Sequence, residues 1–188
     1  MENFQEFINQ FSALSKVDAD RLFKTFEYET FPKSTLILEP GKRAHYLYFI
    51  EKGLVRTFFN NAKGRNTTTS FFKEKEIFTS ADSFFNQTVS NLGVETLEDV
   101  ELMKITHQSL EDLCQEYPSL DKIKFDLLLF FYNKTSHRLM SSFTMTAKER
   151  YQSLLDEVPE ILNRAPLGHI ASYLGISQET LSRIRSNY

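Results

Sequence analysis

Hydrophobic positions change their spacing twice along the chain. Between residues 4 and 26, apolar side chains recur at helical intervals and predict two short helices, with Asp18 placed to cap the second. Between residues 28 and 105, runs rich in β-branched and aromatic residues, such as HYLYFI and TTTSFF, are separated by turn signals at intervals of roughly 8–12 residues. This region predicts a compact all-β sandwich or roll. Helical spacing then returns for the remainder of the chain.

A long uninterrupted helix is predicted next. From Ser119 to Phe143 the sequence contains neither Gly nor Pro, and a helix of that length rises about 37 Å. A core helix explains its apolar stripe, and so does a helix that packs against its counterpart in a homodimer. The many Leu and Phe side chains favour the homodimer. The stripe consists of Ile123, Leu127, Phe130, Phe131, Lys134 and Leu139.

The segment after residue 144 predicts a helix-turn-helix. Thr146 and Glu149 form a capping-box pair, so a new helix is expected to begin there. In the later stretch PLGHIASYLGISQETLSRIRSNY, a first helix with an apolar face is followed by Gly175, which offers the positive φ of a sharp turn. Ser177 then predicts the N-cap of a second helix. This spacing is that of a helix-turn-helix.

The second of these helices carries two different stripes. Its inward-facing residues are predicted to be Leu181, Ile184 and Tyr188. The other stripe combines short hydroxyls, a carboxylate and a guanidinium, which are groups that hydrogen-bond base edges in the major groove. There an Arg binds O6 and N7 of guanine, and a carboxylate accepts from N4 of cytosine. The predicted DNA-binding residues are Gln178, Glu179, Thr180, Ser182, Arg183 and Arg185.

Composition limits the other classes of function. The formal net charge is −3, so any attraction to nucleic acid must come from a local site. The single cysteine, Cys114, excludes an intrachain disulfide and an iron–sulfur cluster held by four thiolates of one chain. No membrane-spanning run or signal peptide is recognised, so we expect a cytoplasmic protein without membrane contact. No nucleophile elbow, phosphate loop or zinc motif is present, so we expect neither an enzyme nor a bound cofactor or metal.

These features resemble the Crp/Fnr superfamily of transcription regulators, particularly its short members common in Bacteroidetes. The resemblance covers nearly the whole chain, and its most specific part is NRAPLGHIASYLGISQETLSRIR. The β region is similar to a cyclic-nucleotide-binding β-roll, with Gly41, Gly53 and Gly64 at its turn positions. The resemblance implies an α+β fold with an N-terminal sensor β-roll at residues 1–117, a long dimerisation helix at 118–144 and a C-terminal helix-turn-helix DNA-binding domain at 145–188.

The segment ETLSR, residues 179–183, matches the Glu-x-x-Ser-Arg pattern of the Fnr-like branch. By that match Glu179, Ser182 and Arg183 are base readers, and a homodimer is expected to bind double-stranded DNA at an inverted repeat of TTGAT-like half-sites. An activator of this class also contacts RNA polymerase, but no residue pattern identifies that surface. Because the chain ends at Tyr188, we expect it to lack the β-hairpin that follows this helix in longer relatives.

The sensor region departs from the family pattern. Relatives that bind cyclic nucleotides carry a Gly-Glu pair and, further along, an Arg-Ser or Arg-Thr pair that holds the phosphate and ribose. Thr79 and Ser80 stand at the first of these positions, and Ser90 and Asn91 stand at the second. Without the Arg, a buried cyclic phosphate lacks the charge-assisted partner that offsets its desolvation. We therefore expect that cyclic AMP is not the ligand and that any small-molecule effector is unknown.

Two interpretations of this degenerate pocket stay open. Ser83, together with Ser80 and the amides of a helix starting there, could hold another anion, or the segment is a core region filled by Phe84 and Phe85. Other superfamily members sense through haem. The available histidines, His45, His107 and His137, have no supporting motif and are expected to be ordinary surface or helix residues.

The competing interpretation of the whole chain is a ligand-sensing or protein-docking β-roll whose helix-turn-helix serves only for packing. Arg183→Ala distinguishes the two. A DNA reader loses about 1–3 kcal/mol of specific binding with its fold intact, whereas a packing module loses only stability.

Overall fold

Two β-sheets and a set of surrounding helices make up the part of the chain that the structure describes. In the computed structural model this part comprises residues 2–9, 15–61 and 64–186, and its α+β architecture confirms the predicted fold class. The helices are α1 Glu2–Asn9, α2 Lys16–Thr25, α3 Ala81–Asn86, α4 His107–Glu116, α5 Asp121–Thr144, α6 Ala147–Glu157, α7 Ile161–Arg164, α8 Leu167–Leu174 and α9 Gln178–Ser186, with a 3-10 turn at Pro118–Leu120. The strands are β1 Glu27–Phe31, β2 Leu36–Leu38, β3 Tyr46–Lys52, β4 Val55–Asn60, β5 Asn66–Phe72, β6 Ile77–Phe78, β7 Gly93–Thr96 and β8 Val100–Thr106.

The strands form two four-stranded antiparallel sheets. One sheet has the order β1-β8-β3-β6 and the other the order β2-β7-β4-β5. Strands from the two ends of the region therefore pair, since β8 lies between β1 and β3. Apolar side chains form a core between the sheets that includes Ile50, Val55, Phe78, Val94 and Leu102. This arrangement is the β-roll expected from the series of short strands.

A second core lies where helices cover the first sheet. Phe4 of α1, Phe49 of β3, Leu110 of α4 and Ile123 of α5 are buried in one cluster. The start of α1 is also held by Glu51 of β3, whose carboxylate accepts a hydrogen bond of 3.0 Å from the Phe4 N–H. A carboxylate at this end of a helix interacts favourably with the helix dipole. The N-terminal helices are thus part of the roll's packing.

Helix α2 is capped by Ser15, and the prediction that Asp18 caps it is wrong. Ser15 has an extended backbone, and its hydroxyl accepts from the Asp18 N–H at 3.1 Å. Asp18 lies in the first turn instead, where its carboxylate accepts from the Ser15 hydroxyl at 2.8 Å. The N-cap needs a non-helical backbone, which only Ser15 of the two provides. Residues 10–14, which the two-helix prediction also spans, lie outside the described residues.

Helix α5 has two apolar faces instead of the single stripe predicted. Ile123, Leu127 and Phe131 are buried against the roll. Phe130 and Leu139, assigned to the same stripe, are 36% and 55% exposed. A largely apolar surface left open in this way generally marks an interface. The exposed face of α5 comprises Phe125, Leu128, Tyr132, Leu139 and Phe143.

The last four helices form a third core. Helix α6 begins with the predicted capping box, in which the Thr146 hydroxyl accepts from the Glu149 N–H and the Glu149 carboxylate accepts from the Thr146 N–H at 2.7 Å. Ile170 of α8 and Leu181 of α9 are fully buried in this core. Phe71 of β5 belongs to the same cluster. The helix-turn-helix segment therefore packs directly against the roll.

Candidate functional site

Helices α8 and α9 are joined by the tight turn that the sequence predicts. Gly175 ends α8 with a φ of 68°, and in this left-handed conformation its N–H reaches carbonyl groups of the last turn. The Ser177 hydroxyl accepts from the Thr180 N–H at 3.2 Å. Ser177 is thus the N-cap of α9, as predicted.

Helix α9 turns one face inward and another to solvent. Leu181 is fully buried and Ile184 is partly buried, as predicted. Tyr188, also assigned to the inner face, lies outside the described residues. Glu179, Ser182 and Arg183 are exposed and share the centre of the outer face, which we call the reading face. Its flanks carry the remaining predicted DNA-binding residues, the exposed Gln178 and Arg185 and the half-buried Thr180.

Both charged groups of the reading face take part in local hydrogen bonds. A hydrogen bond from Ser177 lowers the pKa of the Glu179 carboxyl below its ordinary value, so Glu179 is ionised at neutral pH. Arg183 Nη2 donates to Thr180 Oγ1 at 3.2 Å. The reading face therefore presents an acceptor beside a fork of donors, a combination suited to hydrogen-bonding base edges.

The predicted ligand residues of the roll lie together, but their hydroxyls bond one another. Ser80 and Ser90 are both nearly fully buried, and their Oγ atoms are joined by a hydrogen bond of 2.8 Å. Ser90 Oγ also accepts from the Leu92 N–H at 2.9 Å. The two positions aligned with the cyclic-nucleotide motif are thus in direct contact with each other.

The hydroxyls of Thr79 and Ser83 are likewise hydrogen-bonded within the protein. The Thr79 hydroxyl donates to a backbone carbonyl of β3 at 2.9 Å. The Ser83 hydroxyl accepts from a backbone N–H and donates to the Thr88 carbonyl at 2.5 Å. Asn91 is exposed, and Phe84 is fully buried. The arrangement supports the core interpretation of this segment over an anion site.

Comparison with known proteins identifies the fold. Residues 28–117 match the family model described as the cyclic nucleotide-binding domain. The Anaerobic regulatory protein of Aggregatibacter actinomycetemcomitans is 23% identical over 167 residues, which are 83% of this chain and 64% of the relative. The structure of FixK2 from Bradyrhizobium japonicum matches with a TM-score of 0.75 at 19% identity, covering 86% of this chain and 83% of that one. The chain thus contains a region that matches a cyclic nucleotide-binding domain, and it shares its fold with FixK2.

A further solved structure gives the same architecture. CLP of Xanthomonas campestris, described as a c-di-GMP-responsive global regulator, matches this chain with a TM-score of 0.71 at 17% identity, covering 92% of this chain and 91% of CLP. The chain spans less than two thirds of the length of the A. actinomycetemcomitans relative, since the match covers 64% of it. At these identities the likeness establishes the fold, and the activity needs separate argument.

A groove of about 880 Å³ lies between the roll, α5 and α8. Two cations of α5 line it. Lys134 Nζ pairs with Glu76 at 3.2 Å and with Glu157 at 3.1 Å. Arg138 donates to the Tyr173 carbonyl and lies over the Tyr173 ring, 4.4 Å from its centroid. Both cations are therefore engaged with groups of the protein itself.

Two arginines of the last four helices have roles that the sequence did not reveal. Arg150 donates to the Leu174 carbonyl at the end of α8, at 2.9 and 3.2 Å. Arg164 donates to Glu74 and pairs with Glu98, both in the roll. Both guanidinium groups are bound within the protein, so the last four helices offer fewer unpaired positive charges than their sequence indicates. No local motif predicts pairs that lie 90 and 66 residues apart.

The structure also bears on metal binding, membrane insertion and the chemistry of Cys and His. Within residues 2–9, 15–61 and 64–186, no three His, Cys, Asp or Glu side chains are grouped to hold a metal ion. No helix of that part is long and apolar enough to cross a membrane. Cys114 is buried, and burial raises the pKa of its thiol. His107 packs edge-on against Phe84, and His137 is exposed on α5.

Proposed function

We propose that this protein is a DNA-binding transcription regulator of the Crp/Fnr type that acts as a homodimer. Its two α9 helices read an inverted repeat of TTGAT-like half-sites in successive major grooves. The observation that carries this proposal is the reading face, where Glu179, Ser182 and Arg183 are exposed together on a helix whose other face is buried. Relatives named as regulatory proteins support it.

Each part of the chain has a role in this proposal. Residues 1–117 form the sensor, residues 118–144 form the dimerisation helix and residues 145–188 form the DNA-binding domain. The exposed face of α5 supports the homodimer, because side chains as large as Phe125 and Phe143 are 64% and 78% exposed in the single chain. A second copy of the helix would bury them in a coiled-coil-like seam.

We further propose that cyclic AMP is not the effector. The hydroxyls of Ser80, Ser83 and Ser90 are satisfied within the roll, and Lys134 and Arg138 of the groove are engaged. A cyclic phosphate buried there would lose its hydration without gaining a charged partner. The description of CLP as c-di-GMP-responsive supports the view that proteins of this fold also respond to ligands other than cyclic AMP.

Fluorescence anisotropy tests the DNA proposal. A labelled duplex with the inverted repeat and a scrambled duplex are titrated at one fixed salt concentration, without effector, with wild type, Arg183→Ala and Arg21→Ala. Arg21 lies on α2, which packs in a different buried cluster from α9, and serves as the matched control. We expect Arg183→Ala to weaken binding to the repeat by about 1–3 kcal/mol, roughly 5- to 150-fold, with little change on the scrambled duplex.

Two outcomes contradict the DNA proposal. One is equal binding of wild type and Arg183→Ala to the repeat. The other is a failure of the wild type to select any sequence from a random pool, with or without cell extract as a source of effector. Either result would favour the ligand-sensing or protein-docking roll instead.

Sedimentation velocity tests the homodimer. Leu128→Glu places a charge in the exposed face of α5 and is expected to give a monomer, because the charge would be buried unpaired in the seam. Asn133→Glu is the control on the flank of the same helix and is expected to leave the dimer intact. Identical sedimentation of the two variants would refute this interface.

A further inference from the structure

Charged side chains join the helix-turn-helix segment to the roll at its edge. Arg164 of α7 donates to both carboxylate oxygens of Glu74, at 3.0 and 2.7 Å, and also pairs with Glu98. Glu74 lies between β5 and β6, and Glu98 lies between β7 and β8. The Arg164 side chain is only 16% exposed. Forked bonds of this kind are stronger and more directional than a pair of fully exposed charges.

A second set of bonds lies near the start of the segment. Lys134 of α5 bridges Glu76 of the roll and Glu157 of α6. Lys73, at the end of β5, donates to the Glu157 backbone carbonyl. Helix α6 is therefore tied to the roll and to α5 at one place.

Strand β5 also contacts α8 directly. The Thr68 N–H donates to Ser172 Oγ at 3.1 Å, and Ser172 Oγ is 3.1 Å from Thr68 Oγ1. The rings of Phe71 and Tyr173 pack with their centroids 5.2 Å apart. Burial raises the pKa of Tyr173 to about 12. The first helix of the helix-turn-helix is thus seated on a strand of the sensor.

We propose that Arg164 is a positioning residue that clamps α7 to the roll and thereby fixes the separation and angle of the two recognition helices in the dimer. The inference rests on the proposed function, because it assumes that α9 reads DNA in a homodimer. Helix α5 packs on the roll through Ile123, Leu127 and Phe131. With α7 clamped to the same roll, α9 cannot turn about the short link between α5 and α6 without breaking the Arg164 bonds. A change in the roll reaches α9 through β5 and its neighbouring turns.

Operator spacing provides the test. Anisotropy is measured on inverted repeats at the preferred spacing and with one or two base pairs inserted, and on repeats with a substituted half-site. The full-length variants are Arg164→Gln on the helix side, Glu74→Gln/Glu98→Gln on the roll side and Arg21→Gln as the control. We expect the preference for the correct spacing to fall at least about fivefold in both clamp variants, because charged hydrogen bonds are lost. The half-site preference should stay within about twofold of wild type, and Arg21→Gln should match wild type.

Amide hydrogen exchange at Thr68 gives a readout that needs no DNA. The Thr68 N–H is bonded to Ser172 only while α8 is docked, so exchange should be about tenfold faster in both clamp variants. Circular dichroism confirms that each variant is folded.

Three results overturn the inference. The first is unchanged spacing preference and unchanged Thr68 exchange in both clamp variants. The second is an effect of Arg164→Gln that Glu74→Gln/Glu98→Gln does not reproduce, which would make it local to α7. The third is an equal loss of half-site preference and spacing preference, which indicates damage to α9 itself. If the wild type selects no DNA sequence, the proposed function fails, and Thr68 exchange then decides whether the clamp exists.

Discussion

The ion pair between Arg56 and Glu95 allows a sharp test of what burial does to a charge. These residues face each other on neighbouring strands β4 and β7. Arg56 Nε and Nη2 donate to Glu95 Oε2 at 2.8 and 2.6 Å, and Arg56 Nη1 donates to Asn66 and Thr68. The Arg56 side chain is only 5% exposed. Replacing Glu95 with Ala would leave this guanidinium buried with neutral partners alone.

The expected loss follows from these contacts. A hydrogen bond to a charged group contributes about 1.5–3 kcal/mol, and breaking a buried ion pair on one side costs about 3–5 kcal/mol. Because both bonds end on a single oxygen, we expect the lower part of this range, about 3 kcal/mol. With a urea slope of about 2 kcal/mol per molar, the midpoint of unfolding should fall by about 1.5 M.

Urea unfolding followed by circular dichroism measures this shift. The control is Asp20→Ala, which removes a pair of nearly the same length, Lys24 to Asp20 at 2.7 Å, whose side chains are 71% and 59% exposed. We expect Asp20→Ala to change stability by less than about 0.5 kcal/mol. A loss below about 1 kcal/mol for Glu95→Ala, or equal losses for the two variants, would refute the argument from burial.

Three further predictions concern packing, backbone and charge. Leu181 is fully buried, so Leu181→Ala should lower the free energy of unfolding by about 2–5 kcal/mol, and a loss below about 1 kcal/mol in urea unfolding would contradict its packing. Gly53 has a φ of 106°, and a Cβ added there would meet a backbone oxygen at 2.8 Å, whereas a Cβ added at Gly41, with a φ of 86°, would meet open space. Thermal unfolding should therefore show a larger loss of stability for Gly53→Ala, above about 1 kcal/mol, than for Gly41→Ala. Burial acts to raise the pKa of Glu74, but bonds from Arg164 and backbone N–H groups outweigh it and hold the pKa below its ordinary value. When the folded-state pKa of a carboxyl is lowered, its stabilisation is present above the ordinary pKa and is lost as the pH falls through the lowered pKa. The stability difference between wild type and Glu74→Gln should therefore be constant near neutral pH and shrink on acidification. A difference that does not depend on pH would contradict this prediction.

Local chemistry explains which elements could be predicted from the sequence. Gly175 and Ser177 act on their immediate neighbours, so the turn of the helix-turn-helix was predictable from residue type and spacing. The same holds for the capping box of Thr146 and Glu149. Strand β6 has only two residues, too few for an alternating pattern to appear. The Asp18 prediction failed because residue type alone does not give the backbone angles at Ser15.

Long-range pairing explains what the sequence could not reveal. Arg164 and Glu74 lie 90 residues apart, and no pattern in either segment links them. The prediction of a single apolar stripe on α5 also failed, because a helix with apolar residues on two faces shows no single period. Which face contacts the roll depends on residues brought in from β3 and α4. The contact between Ser80 and Ser90 likewise depends on how the chain folds back between α3 and β7.

If the proposed function holds, the engagement of Arg150 and Arg164 affects how the protein finds its operator in a genome. Nonspecific affinity for DNA comes from phosphates neutralised by Lys and Arg, and it sets how long a protein slides along a duplex before it leaves. Helices α8 and α9 carry Arg183 and Arg185 as their Lys or Arg residues, so in the proposed function this surface would contact few phosphates. In the proposed function the protein would dissociate quickly from nonspecific DNA and would reach its operator mainly by repeated binding from solution. Its residence time on DNA would be governed by the bases that it recognises.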